Sequence, residues 1–163
     1  SVGGYQMDLH PKASYLGMLY EERGRGISCL RGQRVNLAKK PTVTGKLEIA
    51  EVKLEEWNTY RIVARGNVVQ HFVNGALAAE ITDVEPAKRA AKGVIALQTG
   101  DRDRARQLFG DLAEDPSAPA GIRSRASGRW APRPCARACT IRLRCCCRTQ
   151  PSWSVVAARQ GRW

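Results

Sequence analysis

The stretch WNTYRIVARGNVVQHFVNGALAAEI, residues 57–81, decides how this chain is read. Two dipeptides divide it into three runs rich in apolar residues. Gly66-Asn67 closes the run that begins at Trp57, and Asn74-Gly75 separates Val68–Val73 from Ala76–Ile81. A two-residue type I′ turn needs φ > 0 at both central positions, which Asn and Gly adopt at low cost, so each dipeptide predicts a tight hairpin. The turns follow one another too closely for helices, and a three-stranded antiparallel meander results. The register pairs Val73 with Ala76, Phe72 with Leu77, Ala64 with Val69 and Ile62 with His71. One face then carries Tyr60, Ile62, Ala64, Val69, His71, Val73, Ala76 and Ala78. The other carries Arg61, Val63, Arg65, Val68, Gln70, Phe72, Leu77, Ala79 and Ile81. Both faces are substantially apolar, which suits a sheet packed in a sandwich.

Upstream, Gly4–His10 and Tyr15–Glu21 read as two strands joined by Pro11-Lys12-Ala13-Ser14, and Gly24-Arg25-Gly26 breaks the chain before a short apolar run, Ile27–Leu30. The polar stretch Arg31–Lys46, with Gly32, Pro41 and Gly45, reads as a loop holding at most one short strand, Arg34–Leu37. Leu47–Val52 suggests a further strand. Downstream, Pro86–Lys92 suits a helical turn or two, and the continuous apolar run in Gly93–Gln98 suits a buried strand. Arg104–Ala113 is compatible with a helix. Beyond Asp115 no period is sustained.

Composition changes at the same point. Residues 1–100 hold seven Lys, seven Arg and ten acids, whereas residues 101–163 hold thirteen Arg, no Lys and five acids. The formal charge of +12 therefore belongs mostly to the last third. Cys29 stands alone, while Cys135, Cys139, Cys145, Cys146 and Cys147 crowd together without His, which matches no zinc-ligand spacing. The Arg show no helical stripe and no nucleic-acid module is recognisable, so nucleic acid is not the expected partner. No apolar run reaches the ~18 residues a bilayer span needs, so no membrane association is expected. An Arg-only, Cys-clustered composition is what GC-rich coding sequence gives in a wrong frame. It predicts a frameshift between about residues 98 and 115, with a disordered basic extension as the alternative. The organisation expected is a β-sandwich portion over 1–98, an uncertain end over 99–115 and an Arg/Cys-rich tail over 116–163.

Several segments carry a family resemblance. Glu56 to Asn67, reading EWNTYRIVARGN, resembles the "EWN-x-Y-x-I-x-A-x-G-N" segment of the 3-keto-disaccharide hydrolase domain family. His71-Phe72-Val73-Asn74-Gly75 resembles its next strand and turn, Asp83 falls where Asp is common, and Gly93–Gln98 resembles its "G-x-I-A-L-Q" strand. Gly4–Asp8 and Gly17–Gly26 are similar to a bacterial subgroup. The resemblance implies a concanavalin A-like jelly roll, an all-β antiparallel sandwich. It is expected here as a partial copy holding the C-terminal half, with a disordered or non-native C-terminal tail and no activity on its own. It implies a hydrolase or lyase acting on 3-keto-glycosides and 3-keto-disaccharides, with a periplasmic or extracellular location for the parent family. A non-catalytic carbohydrate-binding sandwich is the alternative, because fold does not fix function.

Chemistry beside a 3-keto group needs a base for the proton α to the ketone, an acid for the leaving oxygen and a group to stabilise enolate charge. The residues of suitable type cluster on the first two strands. His10 is the candidate base, Glu21 or Asp8 orients it or holds a divalent metal, and Arg23 binds the sugar or the developing oxyanion. Asp8 and Tyr20 are candidate substrate contacts, as are Trp57, by stacking, and His71. Each has a plainer reading beside it. Tyr20 to Arg23 also suits a solvated strand end, Trp57 a core anchor, and His71 a buried histidine among apolar neighbours. Cys29, with no basic cluster to favour its thiolate, reads as a small core residue.

Overall fold

The computed structural model describes residues 3–10, 12–49, 51–52 and 56–89, together with the backbone of 93–98, 139–146 and 153–159. Eleven strands run in chain order: β1 Gly4–Leu9, β2 Leu19–Glu22, β3 Gly26–Cys29, β4 Gln33–Leu37, β5 Pro41–Lys46, β6 Trp57–Arg65, β7 Val68–Val73, β8 Ala76–Asp83, β9 Gly93–Gln98, β10 Cys139–Cys146 and β11 Trp153–Arg159. They form a five-stranded sheet, β3-β2-β1-β11-β9, and a six-stranded sheet, β10-β6-β7-β8-β4-β5. The described part is all-β, as expected. One pairing departs from the antiparallel rule, because β4 lies parallel to β8.

The meander forms in the register read from its turns: Ala64 faces Val69, Ile62 faces His71, Val73 faces Ala76 and Phe72 faces Leu77. Asn74 and Gly75 both have positive φ, 50° and 86°, as a type I′ turn demands. The face assignment fails at one place. The β7–β8 register shifts after His71, so that His71 faces Ala79 and Val69 faces Ile81. Ala78 is the extra residue, and the bulge turns Ala79 and Ile81 inward, both at most 1% exposed.

Other boundaries also differ. Residues 12–17 form turns, so β2 begins at Leu19 and not at Tyr15. Pro41–Lys46 is a strand where a loop was expected. It lies at the sheet edge with nearly every residue exposed, so burial imposes no alternation on it. Leu47–Ile49 lies outside any strand, as does Val52, which packs on the core from a loop. Residues 86–88 make a turn in which Glu85 O accepts from the amides of Lys88 and Arg89. The tail, read as lacking period, supplies β10 beside β6 and β11 between β1 and β9. The transition expected near residues 98–115 and the helix at Arg104–Ala113 lie outside the described residues.

The core sits between the sheets. Tyr5, Met7 and Leu19 from one sheet meet Tyr60, Ile62, Val69, Val73 and Ile81 from the other, with Leu16 and Cys29 filling between. Burial pushes the Cys29 thiol up to about 11, which keeps it a protonated core residue. One polar brace reinforces the meander. Asn74 Nδ2 donates to Asn58 Oδ1 at 2.9 Å, the Thr59 amide donates to Asn74 Oδ1 at 2.9 Å, and Asn58 Nδ2 donates to Glu56 O at 2.9 Å. Asn58 is 2% exposed, so Asn58→Ala removes a buried amide together with its two hydrogen bonds, to Asn74 and to Glu56 O. The expected cost is about 1–3 kcal/mol, read as a lower urea midpoint at unchanged m-value.

Candidate functional site

Alternation along β1 and β2 sorts their side chains onto two faces. Tyr5 and Met7, with Leu19 and Glu21, turn toward the second sheet and are buried. Gln6 and Asp8, with Tyr20 and Glu22, project from the opposite face, where Gln6, itself buried at 6% exposure, sits directly across from half-buried Tyr20. Gln6 Nε2 donates to Asp8 Oδ1 at 2.7 Å. Asp8 stands diagonally from Tyr20, about 7 Å away by strand geometry. Two carboxylates, an amide and a phenol thus share one face of the hairpin.

A bulge fixes where Asp8 stands. The Asp8 amide donates to Met18 O at 3.3 Å, while the Gly17 amide donates to Asp8 O at 2.7 Å, so Gly17 and Met18 together oppose Asp8. Gly17 has φ 80° and closes the turn from Tyr15 to Met18. A β-carbon on it would lie 2.9 Å from Val73 Cγ2, inside the core.

The inner face carries a different cluster. Arg25 follows a turn in which Arg23 takes φ 56°, and at Gly24 a β-carbon would strike the Glu21 carboxyl. Glu21 thereby folds under the turn and accepts from both the amide and Nε of Arg25. The Arg25 guanidinium reaches across to the second sheet, donating from Nη1 and Nη2 to the two oxygens of Asp83 and from Nη1 to Glu85 at 3.3 Å. The Tyr5 hydroxyl and the Glu85 amide also donate to Asp83. The side chains of Arg25 and Asp83 are 5% and 1% exposed. Burial alone would raise the Asp83 carboxyl, but the bonds from Arg25, Tyr5 and the Glu85 amide outweigh it and hold Asp83 below the usual carboxylate range. Burial and the bond to Asp83 push the Tyr5 phenol well up, so it remains a neutral donor. With every charge engaged, this group clamps the sheets together and leaves no carboxylate oriented for proton transfer.

The residues singled out in the sequence therefore separate. Asp8 and Tyr20 are brought together on one face. Glu21 belongs to the inner clamp and cannot share an ion with Asp8 through the sheet. His10 lies past the end of β1, five residues beyond Tyr5, the residue opposite Glu21; that is about 17 Å along the strand. Its Nδ1 accepts from the Lys12 amide at 3.0 Å, and its ring meets Tyr15 edge-on. Arg23 is exposed on the β2–β3 turn. Trp57 is on the other sheet and 64% exposed, so it is no core anchor. Among the described residues, no group of three His, Cys, Asp or Glu is arranged to hold a metal ion. The sequence reading missed Gln6, Arg25 and the role of Asp83. Period-2 alternation through Glu21-Glu22 was the available signal, since it separates the two carboxylates.

His71 is a core residue. It is 1% exposed, and its Nδ1 donates to Gly17 O at 3.2 Å. Burial drives its pKa down to about 4, with the bond to Gly17 opposing in part. An unfolded histidine takes up a proton near pH 6.5, so the unfolded state binds protons first as pH falls. Stability is thus full above about pH 6.5 and is lost between there and about pH 4. The expected loss is about 3 kcal/mol. Denaturation midpoints across that window should show the slope, and His71→Leu should flatten it.

The fold is that of a β-sandwich domain with one polar hairpin face, and its kinship agrees. The profile of the 3-keto-alpha-glucoside-1,2-lyase-like domain family matches residues 1–108, about two thirds of the chain. The chain belongs to that family, and its function is carbohydrate-related. No match was found among curated proteins or among solved structures. Among the described residues, no helix is long and apolar enough to cross a membrane.

Proposed function

We propose that this domain acts on 3-keto-glycosides, cleaving the glycosidic bond beside the ketone, and that the face bearing Gln6, Asp8, Tyr20 and Glu22 engages the sugar. The ketone acidifies the neighbouring C2 proton. A carboxylate base takes that proton, the electron pair moves into the C1–C2 bond region through the enolate, and the C1–O bond breaks with a proton delivered to the departing oxygen. Elimination leaves an unsaturated keto sugar and an alcohol, and addition of water to the former completes a hydrolysis. Asp8 is the base in this reading, oriented by the Gln6 amide. Tyr20 donates to the developing charge, and Glu22 holds sugar hydroxyls or the transferred proton. His10 and Arg23 flank the face at its two ends and contact the outer parts of the ligand. A divalent ion, if used, would be held from the Asp8 side.

The observation that supports this most directly is the register that places Gln6 opposite Tyr20 with Asp8 and Glu22 on the same face. The test is to incubate the chain with a 3-keto-disaccharide and follow release of the aglycone sugar. Asp8→Asn should lower turnover at least a hundredfold without moving the thermal transition. Binding without turnover by the unaltered chain would overturn the catalytic reading and leave a carbohydrate-binding module.

A further inference from the structure

The tip of the β7–β8 hairpin carries a reactive pair. The chain has four asparagines, and Asn74 alone precedes a glycine; Asn36, Asn58 and Asn67 precede Leu37, Thr59 and Val68. The backbone nitrogen of the residue after an asparagine can attack the carboxamide carbon, and a side chain on that residue hinders the approach. Gly75 offers no such hindrance. Both turn residues are exposed, and even a β-carbon built on Gly75 would meet nothing within 4 Å. What opposes the attack is the set of hydrogen bonds on Asn74. Its amide donates to Thr59 O at 2.8 Å, its Oδ1 accepts from the Thr59 amide at 2.9 Å, and its Nδ2 donates to Asn58 Oδ1 at 2.9 Å. Asn58 is fixed in turn, at 2% exposure and with its own Nδ2 on Glu56 O. The Asn74 carboxamide must leave both of its partners before its carbon can meet the Gly75 nitrogen.

We propose that Asn74 is a site of spontaneous deamidation, that Asn58 sets its rate, and that the product loosens the meander. A base from solvent takes the Gly75 amide proton, and the nitrogen attacks Asn74 Cγ. The Cγ–Nδ2 bond breaks, and the departing nitrogen takes up a proton from solvent and leaves as ammonia. Water then opens the five-membered imide. Cleavage of its bond from nitrogen to Cγ gives aspartate, and cleavage of its bond from nitrogen to the main-chain carbonyl carbon gives isoaspartate. One water enters, one ammonia leaves and nothing is oxidised.

Neither product fits the brace. Aspartate has no N–H for Asn58 Oδ1, so two acceptors face each other. Asn58 can present its own Nδ2 there only by giving up Glu56 O. Isoaspartate lengthens the main chain inside a two-residue turn whose length sets the β7–β8 register. The next residue along β7 is Val73, fully buried in the core, so the disturbance does not stay at the tip. Nothing in this depends on catalysis at Asp8.

The test follows the full chain by peptide mass spectrometry in mildly alkaline buffer, both native and unfolded in urea. The modification should appear at Asn74 and not at Asn67, and about tenfold more slowly in the native chain than in the unfolded one. Asn58→Ala should speed the native reaction by a similar factor at a temperature where the variant is folded. Asn58→Asp keeps an acceptor for Asn74 Nδ2 and should react more slowly than Asn58→Ala. Ile81→Val weakens the fold from within the core but leaves the brace intact, so it should not speed the reaction. Asn74→Asp, which copies one product, should melt at a lower temperature than the unaltered chain. Equal rates in the native and unfolded chain would overturn the proposal, and that comparison stands even if Asn58→Ala does not fold. Equal acceleration in Asn58→Ala and Ile81→Val would also overturn it, by tracing the rate to global unfolding, as would an unchanged transition in Asn74→Asp.

Discussion

Asp83→Ala is expected to destabilise the domain by about 3–5 kcal/mol, because it removes one partner of a buried ion pair and leaves the other charge in place. In the native fold Asp83 accepts from Tyr5, from both terminal nitrogens of Arg25 and from the Glu85 amide. With the carboxylate gone, Arg25 keeps Glu21 and Glu85, but the Tyr5 hydroxyl loses its acceptor at the sheet interface. Chemical denaturation should show the loss as a lower midpoint. Replacing the buried charges together, as in Arg25→Met with Asp83→Leu and Glu21→Leu, should cost less than the sum of the three single changes, since no buried charge is then left without its partner. Simple additivity of the three single losses in the triple variant would sink this account. The acid limb adds a second reading. Asp83 is held below the usual carboxylate range, so its stabilisation is present above the unfolded value near pH 3.9 and is lost as pH falls through the native one. That lies below the window assigned to His71, and the two should appear as successive steps in an acid titration.

The meander was legible because its turns carry the information. Both dipeptides fix the register, and Asn74 and Gly75 have the positive φ of a type I′ turn, whereas at Gly66-Asn67 only the glycine does, at 58°. The bulge was not legible, because the extra residue lies in Ala76-Leu77-Ala78-Ala79, where no side chain is large or polar enough to mark a face. Strand β5 was invisible for a related reason. Its residues face solvent along an edge, and Thr42, Val43 and Thr44 show no alternation to read. Strands β10 and β11 lie in a stretch whose Arg and Cys content drew attention from its pattern, although Ile141-Arg142-Leu143-Arg144 alternates with period 2 and Trp153-Ser154-Val155-Val156 has strand-forming composition.

The site was half legible for a different reason. Residue types on β1 and β2 point to the pair of strands that carries the proposed site, but the spacing of Tyr20-Glu21-Glu22-Arg23 reads as one cluster when a strand must divide it. Glu21 goes inward to Arg25 and Tyr20 goes outward to Gln6. Arg25 stands in the sequence only as part of the Gly24-Arg25-Gly26 break, since its chief partner, Asp83, lies 58 positions away. A contact over that separation leaves no local trace.

Gly17→Ala is expected to cost about 2–5 kcal/mol. Two terms add. A non-glycine residue held at φ 80° costs about 1–2 kcal/mol. The new methyl also meets Val73 Cγ2 at 2.9 Å and Ala78 Cβ at 3.4 Å in a closed core, and overpacking of that kind costs about 1–3 kcal/mol. The terms are separable. Trimming the obstruction with Val73→Ala removes the clash but not the backbone strain, so Gly17→Ala with Val73→Ala should be more stable than the sum of the two single losses predicts. Simple additivity would show that the clash is absent. The change also reaches the proposed site. The Gly17 amide and the Met18 carbonyl hold Asp8 on its bulge, and Gly17 O accepts a hydrogen bond from His71 Nδ1. If the bulge relaxes to admit a methyl group, Asp8 shifts against Gln6 and Tyr20. Turnover of a 3-keto-disaccharide should then fall in Gly17→Ala by more than the unfolded fraction explains, at a temperature where the variant is still folded.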